Sequence, residues 1–219
     1  MAESDARTPR ERYRAQVREE IKKHAWEQIA AAGASALSLN AIAKQIGVSG
    51  PALYRYYANR DELITELVKD AYRSLADAFR ARAATGADLA ELARALREWA
   101  LADPQRYFLV YGTPVPGYRA PEDTTAIASE IMDVLLGACA AVAPEAAAAS
   151  LDDQLDGHLA EHRTWAPEHR VAPSALSRAL LFWSRLHGVL SLELAGHFTG
   201  MGLDPAELYA AETRALTAP

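Results

Sequence analysis

Residues 38–63 constrain the fold more than any other part of the chain, because their pattern predicts two short helices joined by a tight turn. Apolar residues at positions i, i+3, i+4 and i+7 give the first helix one buried face: Leu39, Ile42, Ala43 and Ile46. Gly47 is expected to end this helix, since glycine reaches positive φ without steric cost, and Val48 is expected to fill the corner. Ser49 and Pro51 suit the cap and the first turn of the second helix.

The second helix is expected to run from about Gly50 to Tyr57 and to present an unusual set of outward side chains. Leu53 and Tyr57 lie four residues apart and are expected to face inward. The other side chains are left to face outward: Pro51, Ala52, Tyr54, Arg55 and Tyr56. A helix in the major groove of DNA needs small residues at its N-terminal end, and phenol and guanidinium groups can reach phosphates. The pattern therefore favours a DNA-binding unit.

Three segments in this region resemble the DNA-binding domain of the tetracycline-repressor (TetR) family: Gly47-Val48-Ser49, Leu53-Tyr54-Arg55-Tyr56-Tyr57 and Asn59-Arg60-Asp61-Glu62-Leu63. The resemblance covers about the first sixty residues. It includes an amphipathic first helix that contains Val17, Ile21, Ala25 and Ile29 and that ends at a capping Gly33. The alternative is a helix pair that only looks like a helix-turn-helix.

The resemblance implies a role for each matching residue. Tyr54 and Tyr56 match positions that contact phosphates, and Arg60 matches a basic position that grips the DNA backbone at the start of the fourth helix. Ser49, Gly50, Pro51 and Ala52 then occupy the end that faces the bases, with Arg55 as the best candidate for a base edge. Asn40 and Lys44 are weaker candidates, since either can equally be a solvated polar residue. Few of these groups can specify bases directly, so we expect contacts to thymine methyl groups and shape readout to contribute.

The distribution of charge agrees with this interpretation, although the total charge of −6 alone argues against an anionic partner. Residues 1–60 contain ten Lys or Arg against six Asp or Glu, a net charge of +4, so residues 61–219 carry −10. Positive potential is thus confined to the region expected to contact phosphates. The arginines near the N-terminus fit either a phosphate-contacting arm or a solvated tail.

Composition predicts an all-α chain, because alanine is abundant and runs of β-branched residues with period two are missing. We expect a helix-turn-helix domain over residues 1–60 and a larger helical domain over residues 61–219. Helices are expected at about 60–84, 88–102 and 107–111, then from about 122 until Pro144 interrupts the last. Residues 112–121 contain too many Pro and Gly to be helical throughout.

The single cysteine, Cys139, fits a reducing compartment, and the N-terminal residues lack the apolar region of a signal peptide. We expect no apolar stretch to be long enough to span a membrane. We therefore expect a cytoplasmic protein with no membrane association and no cofactor.

Residues 151–172 are acidic and contain a His-x-x-Glu-His pattern at His158, Glu161 and His162. Two histidines four residues apart share a helix face and can bind zinc, with the Glu as a base, as in a helical metal-dependent hydrolase. Gly157 and Pro167 weaken that helix, however, and nothing nearby marks a substrate cleft. An exposed segment with incidental histidines is the competing interpretation, and His169 does not change it.

The last third of the chain becomes apolar on more than one helix face: Leu176, Leu180, Leu181, Phe182, Trp183, Leu186, Val189, Leu190, Leu192 and Leu194. A helix that is apolar on most sides needs burial on both sides. We therefore expect helices at about 174–198 and 204–217 to form a four-helix interface in a homodimer. Trp183, His187 and Gly188 resemble the Trp-His-Gly signature of one C-terminal subclass of these regulators.

That resemblance implies a small-molecule effector bound within the helical body. The candidate contacts are Trp99, Tyr107, Tyr111, Met132, Trp183 and His187, each of which can equally be an ordinary core residue. The sequence as a whole predicts a ligand-responsive transcriptional regulator, a repressor rather than an enzyme, that binds a pseudo-palindromic DNA operator as a homodimer and is released by a small molecule. The alternative is the metal-dependent hydrolase described above.

Overall fold

The structure is a computed structural model that describes residues 8–142, 152–163, 165–166 and 171–217. Across these residues the secondary structure is helical, and no strand occurs in them. The all-α prediction is confirmed. The chain divides into two compact units, one formed by residues up to Asp70 with Thr113–Pro121 and the other by Ala71–Gly112 with the residues from Glu122 onward. We call these units the head and the body.

The head contains α1 (Pro9–Ala32), a 3-10 turn (Ala34–Ala36), α2 (Leu39–Gln45), α3 (Gly50–Leu53) and the first part of α4 (Arg60–Ala83). Its core is formed by the apolar positions that the helical spacing predicts: Ile21, Ala25, Ile29, Leu39, Ile42, Leu53, Tyr57, Leu63, Ile64 and Leu67. The head therefore encloses a core made from one face of each helix.

Helix caps fix the ends of these short elements. Gly33 and Gly47 adopt φ of 77° and 71°, the left-handed region expected of them. The backbone N–H of Ala52 lies 3.3 Å from Ser49 Oγ, which confirms Ser49 as the N-cap of α3. A capping box at the start of α1, formed by Thr8 and Glu11, was not anticipated from the sequence.

The body contains the rest of α4, α5 (Leu89–Ala102), α6 (Pro104–Tyr111), α7 (Glu122–Ala141), α8 (Asp153–Glu161), α9 (Pro173–Leu194) and α10 (Pro205–Thr217). Helix α9 packs against α5, α7, α8 and α10 and is thus the central helix of the body. Its buried residues include Arg178, whose Nη1 donates a 2.5 Å hydrogen bond to the Leu216 carbonyl on α10. As predicted, residues 112–121 contain no helix.

Three predictions of local structure are wrong. Helix α3 ends at Leu53 instead of Tyr57, because the Tyr56 N–H bonds to the Leu53 carbonyl and tightens the chain into a turn. Val48 does not fill the corner, since 36% of its surface is exposed.

Thr124–Ala141 on α7 does have the length and mean hydropathy, 1.4, of a membrane-spanning helix. A core helix meets the same criterion, and α7 buries Ile131, Leu135 and Cys139 in the body. The predicted break at Pro144 lies outside the described residues.

Candidate functional site

The outward side chains predicted for the second helix lie on α3 and on the turn that follows it. Leu53 and Tyr57 are fully buried, while 44% of Tyr54 is exposed. Ser49, Pro51 and Arg55 are also exposed, and Gly50, Ala52 and Tyr56 are half-buried. The head therefore presents a short helix end with small residues, flanked by two tyrosines and an arginine.

Helix α2 lies directly beside this surface. Asn40 and Lys44 are exposed on it, which fits both a DNA contact and a solvated polar residue. A side chain at Gly50 would place its Cβ 3.4 Å from Asn40 Oδ1, in ordinary van der Waals contact. The N-terminal end of α3 is thus within reach of Asn40, so that both can face one ligand surface.

Helix α1 adds residues that sequence reasoning did not assign individually. A concave surface of about 290 Å³ is lined by Arg10, Tyr13, Arg14, Arg55 and Tyr56. The Arg14 guanidinium lies 5.9 Å from the centroid of the Tyr56 ring, within range of a cation–π contact. Tyr13 is 63% exposed. We name this surface the basic groove. Its sequence signal is the spacing of Arg10, Tyr13 and Arg14, which places them on one face of α1.

Other basic residues of α1 have internal partners instead. Arg18 lies 3.1 Å from Glu66 and stacks over the Tyr57 ring at 4.6 Å, and Lys22 lies 2.7 Å from Asp70. These contacts join α1 to α4 within the head. Burial raises the pKa of Tyr57, which keeps its hydroxyl neutral. Arg18 and Lys22 therefore hold the head together, whereas Arg10, Arg14 and Arg55 line the basic groove.

Arg60, predicted to grip the DNA backbone, is half-buried and donates from Nη2 to the Ala34 carbonyl at 3.2 Å. Its Nε is buried and has no partner among the described residues. The structure thus gives Arg60 an internal role in tying α4 to the 3-10 turn, and its contact with phosphate stays a prediction.

In the body, five of the six predicted effector contacts come together. Tyr111 and Trp183 each lie 4.3 Å from the His187 ring by centroid distance, and Tyr107 lies 5.4 Å from Tyr111. Trp99 lies 6.3 Å from Tyr111. Tyr72, which the sequence did not single out, meets Tyr111 edge-on at 6.0 Å. We name these six side chains the aromatic cluster. Met132 is half-buried against the same core.

Some polar atoms of the aromatic cluster have hydrogen-bond partners, and others have none among the described residues. The Tyr107 hydroxyl lies 3.1 Å from His187 Nδ1, 3.1 Å from the His187 carbonyl and 2.8 Å from Ser191 Oγ. In contrast, His187 Nε2 and the Tyr111 hydroxyl are buried without a partner among the described residues. Burial lowers the pKa of His187 to about 4, so its ring is neutral near pH 7. Burial also raises the pKa of Tyr111.

The predicted metal pattern does not assemble into a site within the part of the chain that is described. His158 and His162 are exposed at the end of α8, and their rings stack at 4.2 Å. His162 Nδ1 lies 2.9 Å from the His158 carbonyl. No three His, Cys, Asp or Glu side chains in the described ranges are grouped so as to hold a metal ion. His169 and Pro167 lie outside those ranges. The hydrolase alternative is therefore not favoured.

Comparison with known proteins decides which family these features belong to. Residues 21–67 match the model of bacterial regulatory proteins of the tetR family, and residues 89–216 match the model of the tetracyclin repressor-like C-terminal domain. The chain belongs to the TetR family. It is thus a DNA-binding transcriptional regulator with a helix-turn-helix. The two matches fall on the head and on the body respectively, and the narrower Trp-His-Gly subclass stays a prediction.

Similar proteins agree with this family membership over nearly the whole length. The chain is 36% identical to the HTH-type transcriptional regulator Rv1816 of Mycobacterium tuberculosis over 225 residues, which cover 94% of this chain and 92% of that protein. It is 67% identical to the protein SCO4313, whose crystal structure superposes with a TM-score of 0.89 over 97% of this chain and all of that one. A TetR/AcrR-family regulator from Thermobifida fusca YX-ER1 shares the fold at 20% identity, with a TM-score of 0.57 and coverage of 93% and 97%.

Proposed function

We propose that this TetR-family regulator binds a pseudo-palindromic operator as a homodimer and represses transcription until a small molecule releases it. Residues 1–60 form the DNA-binding domain in this proposal, and residues 61–219 bind the effector and the second subunit. The observation that carries the DNA-binding part is the exposed end of α3, where small residues lie beside Tyr54 and Arg55 with no internal burial to explain them. Acting on chromosomal DNA places the protein in the cytoplasm.

In this proposal α3 enters the major groove and the flanking groups bind the backbone. Ser49, Gly50, Pro51 and Ala52 approach the base edges, and Arg55 reaches a base or a phosphate. Tyr54 and Tyr56 donate hydroxyl hydrogen bonds to phosphates, with Asn40, Lys44 and Arg60 as further contacts. The basic groove extends this set, because in the described part of the chain Arg10, Arg14 and Arg55 form no ion pair and are free to neutralise phosphates.

The homodimer is proposed to form through α9 and α10. Large apolar side chains remain exposed at the end of α9 and in the segment that follows: Leu192, Met201 and Leu203, at 45%, 65% and 40%. Exposed apolar groups close together in the chain are typical of an interface. Two heads held by such a dimer would occupy half-sites centred about 34–36 Å apart on the DNA.

The effector is proposed to bind at the aromatic cluster and Met132 and to act by population shift. The two states are a dimer whose heads can both reach their half-sites and a dimer whose heads cannot. A compound that binds the second state more tightly lowers operator affinity, by a coupling free energy of typically about 1–3 kcal/mol. Analytical ultracentrifugation tests the dimer, and a mobility-shift assay with added candidate effectors tests the release.

The DNA contacts are tested by a mobility-shift assay on the intergenic DNA beside the coding region, with wild-type protein and the Tyr54→Phe variant. Losing one phosphate-bound hydroxyl should weaken binding to all sequences by about the same factor. Tyr118→Phe is the matched control, because the Tyr118 hydroxyl already lies 3.2 Å from Thr65 Oγ1. Arg60→Ala should also weaken binding, although loss of its bond to Ala34 affects the head as well. Unchanged binding in both variants would refute these contacts.

A further inference from the structure

Two unpartnered polar atoms lie on adjacent rings of the aromatic cluster. His187 Nε2 and the Tyr111 hydroxyl are both buried without a hydrogen-bond partner among the described residues, and their ring centroids are 4.3 Å apart. A buried polar group without a hydrogen-bond partner destabilises the fold. Two such atoms on neighbouring rings indicate a site that a ligand completes.

The contacts of Tyr107 determine which nitrogen of His187 carries the proton. The Tyr107 hydroxyl has one proton and three polar neighbours, of which only the His187 carbonyl is limited to accepting. If the hydroxyl donated to Nδ1 or to Ser191, its oxygen would face that carbonyl at 3.1 Å with no hydrogen between them. When it donates to the carbonyl, Nδ1–H and the Ser191 hydroxyl can both donate to its oxygen. All three contacts are then hydrogen bonds.

This arrangement leaves Nε2 without a proton, because the neutral imidazole carries only one. Nε2 is therefore an acceptor, and its lone pair has no donor. The rings of Tyr111 and Trp183 both lie 4.3 Å from the His187 ring by centroid distance, in tilted arrangements. The basic side chain packed at the edge of the cluster, Arg106, is engaged with Trp99, Ser74 and Asp103. The site thus offers a ligand an unpaired acceptor beside aromatic rings.

We propose that the effector is a flat organic molecule, neutral or cationic, that donates an N–H or O–H hydrogen bond to His187 Nε2 and contacts the Tyr111 hydroxyl. This inference rests on the proposed effector response, because it assigns the chemical class of that effector. Organic anions are excluded as effectors at this position, since a carboxylate has no proton to give and would face the lone pair of an unprotonated nitrogen.

The proton placement is tested first, on the free protein labelled with ¹⁵N-histidine. Long-range ¹H–¹⁵N correlation at pH 7 is expected to show His187 protonated at Nδ1 and bare at Nε2. Tyr107→Phe removes the acceptor of Nδ1–H and should shift the tautomer toward Nε2–H, while Tyr111→Phe should leave it unchanged. A wild-type His187 protonated at Nε2 would overturn the proposal.

Ligand class is tested with four small aromatic probes, followed through the His187 Nε2 signal. Phenol and benzylamine carry a donor, anisole lacks one, and benzoate is an anion. Phenol is expected to bind about tenfold more tightly than anisole, in line with one hydrogen bond. Benzylamine binding more tightly than phenol would identify a cationic effector, and the reverse order a neutral one; both orders support the proposal.

Three results would contradict the proposal: equal binding of phenol and anisole, benzoate binding as tightly as phenol, or no effect of phenol on Nε2 up to its solubility limit. His187→Phe should abolish the preference for phenol over anisole, whereas Tyr111→Phe should only reduce it. These binding measurements are made in the absence of DNA. A protein that fails to release DNA in the mobility-shift assay can still pass them, so failure of the effector class and failure of the proposed regulation are distinguishable.

Discussion

The head and the body each hold a group of aromatic residues, and their surroundings give them different chemistry. In the head, Tyr13 and Tyr54 are 63% and 44% exposed and lie near free arginines. In the body, Tyr107 is fully buried, and the polar atoms of Tyr111 and His187 are closed off from water. Exposed phenols beside cations can bind phosphate, whereas half-buried rings with a buried, unpaired acceptor suit a small organic molecule.

The difference arises from the helices that carry the residues. Helix α3 has only four residues and Tyr54 follows it directly, while Tyr13 lies near the start of α1, outside the buried face of that helix. Helix α9 has 22 residues and is packed by four other helices. Tyr13 and Tyr54 therefore stay exposed near the ends of their helices, whereas the aromatic residues beside the central helix are buried or half-buried. Four predictions test this contrast, from the largest expected effect to the smallest.

The largest effect concerns the enclosed histidine. The pKa of His187 falls from 6.5 in the unfolded chain to about 4 in the fold, so the unfolded state binds the proton more readily. The contribution of His187 to the free energy of unfolding is fully present above about pH 6.5. As the pH falls toward 4, at most about 3 kcal/mol of it is lost. Urea unfolding at several pH values measures the slope of the free energy of unfolding against pH. His187→Gln, which does not titrate, should remove it; an unchanged slope in that variant would show that the burial of His187 does not control it.

The second prediction concerns the exposed cations of the head. The double substitution Arg14→Ala with Arg55→Ala should weaken DNA binding on the order of a hundredfold at low salt and reduce the slope of log K against log salt by about 2. Arg82→Ala with Arg94→Ala removes the same charge from the body and serves as the control. Equal losses in both double variants would mean that net charge, and not the basic groove, governs binding.

The third prediction compares two hydroxyls within the aromatic cluster. Tyr107→Phe leaves His187 Nδ1 and Ser191 without their shared partner and should cost about 2 kcal/mol of unfolding free energy. Tyr111→Phe removes a hydroxyl that has no partner and should change stability by less than about 0.5 kcal/mol, or raise it. Denaturant unfolding of both variants provides the test. A larger loss for Tyr111→Phe would contradict the assignment of partners.

The smallest effect concerns two glycines. Gly47 has φ of 71° in the turn between α2 and α3, so Gly47→Ala should destabilise the protein by about 1 kcal/mol. Gly137 lies within α7 with open space around it, so Gly137→Ala should stabilise by about 0.5–1 kcal/mol. Thermal unfolding compares them. Destabilisation by both substitutions would show that backbone conformation is not what separates the two positions.

The sequence predicted most of the fold because its signals were local. Ser49, Gly33 and Gly47 act within their own turns, and helical spacing identified buried residues such as Leu53 and Ile42. The end of α3 was misjudged, since a helix and a tight turn at its C-terminus share the same apolar spacing. Local pattern is therefore sufficient for caps and faces, and weaker for exact helix ends.

The functional residues were predicted less completely because they depend on contacts between distant segments. Nothing local indicates that Arg14 approaches Tyr56, 42 positions later, while Arg18 is taken up by Glu66. The bond of Arg60 to the Ala34 carbonyl is equally invisible in the sequence. The proton position on His187 likewise follows only from the contacts of the Tyr107 hydroxyl. Residue types indicated candidate regions, and the three-dimensional contacts separate free groups from paired ones within them.

The most direct test of the central claim is a hydroxyl-radical footprint of the protein on the DNA beside its own coding region. We predict two protected half-sites related by pseudo-two-fold symmetry, with centres about one helical turn, 34–36 Å, apart. Protection should weaken in the Arg14→Ala, Arg55→Ala double variant. A protected region without two half-sites, or a footprint that the double variant leaves unchanged, would contradict the claim that the exposed end of α3 and the basic groove bind the duplex.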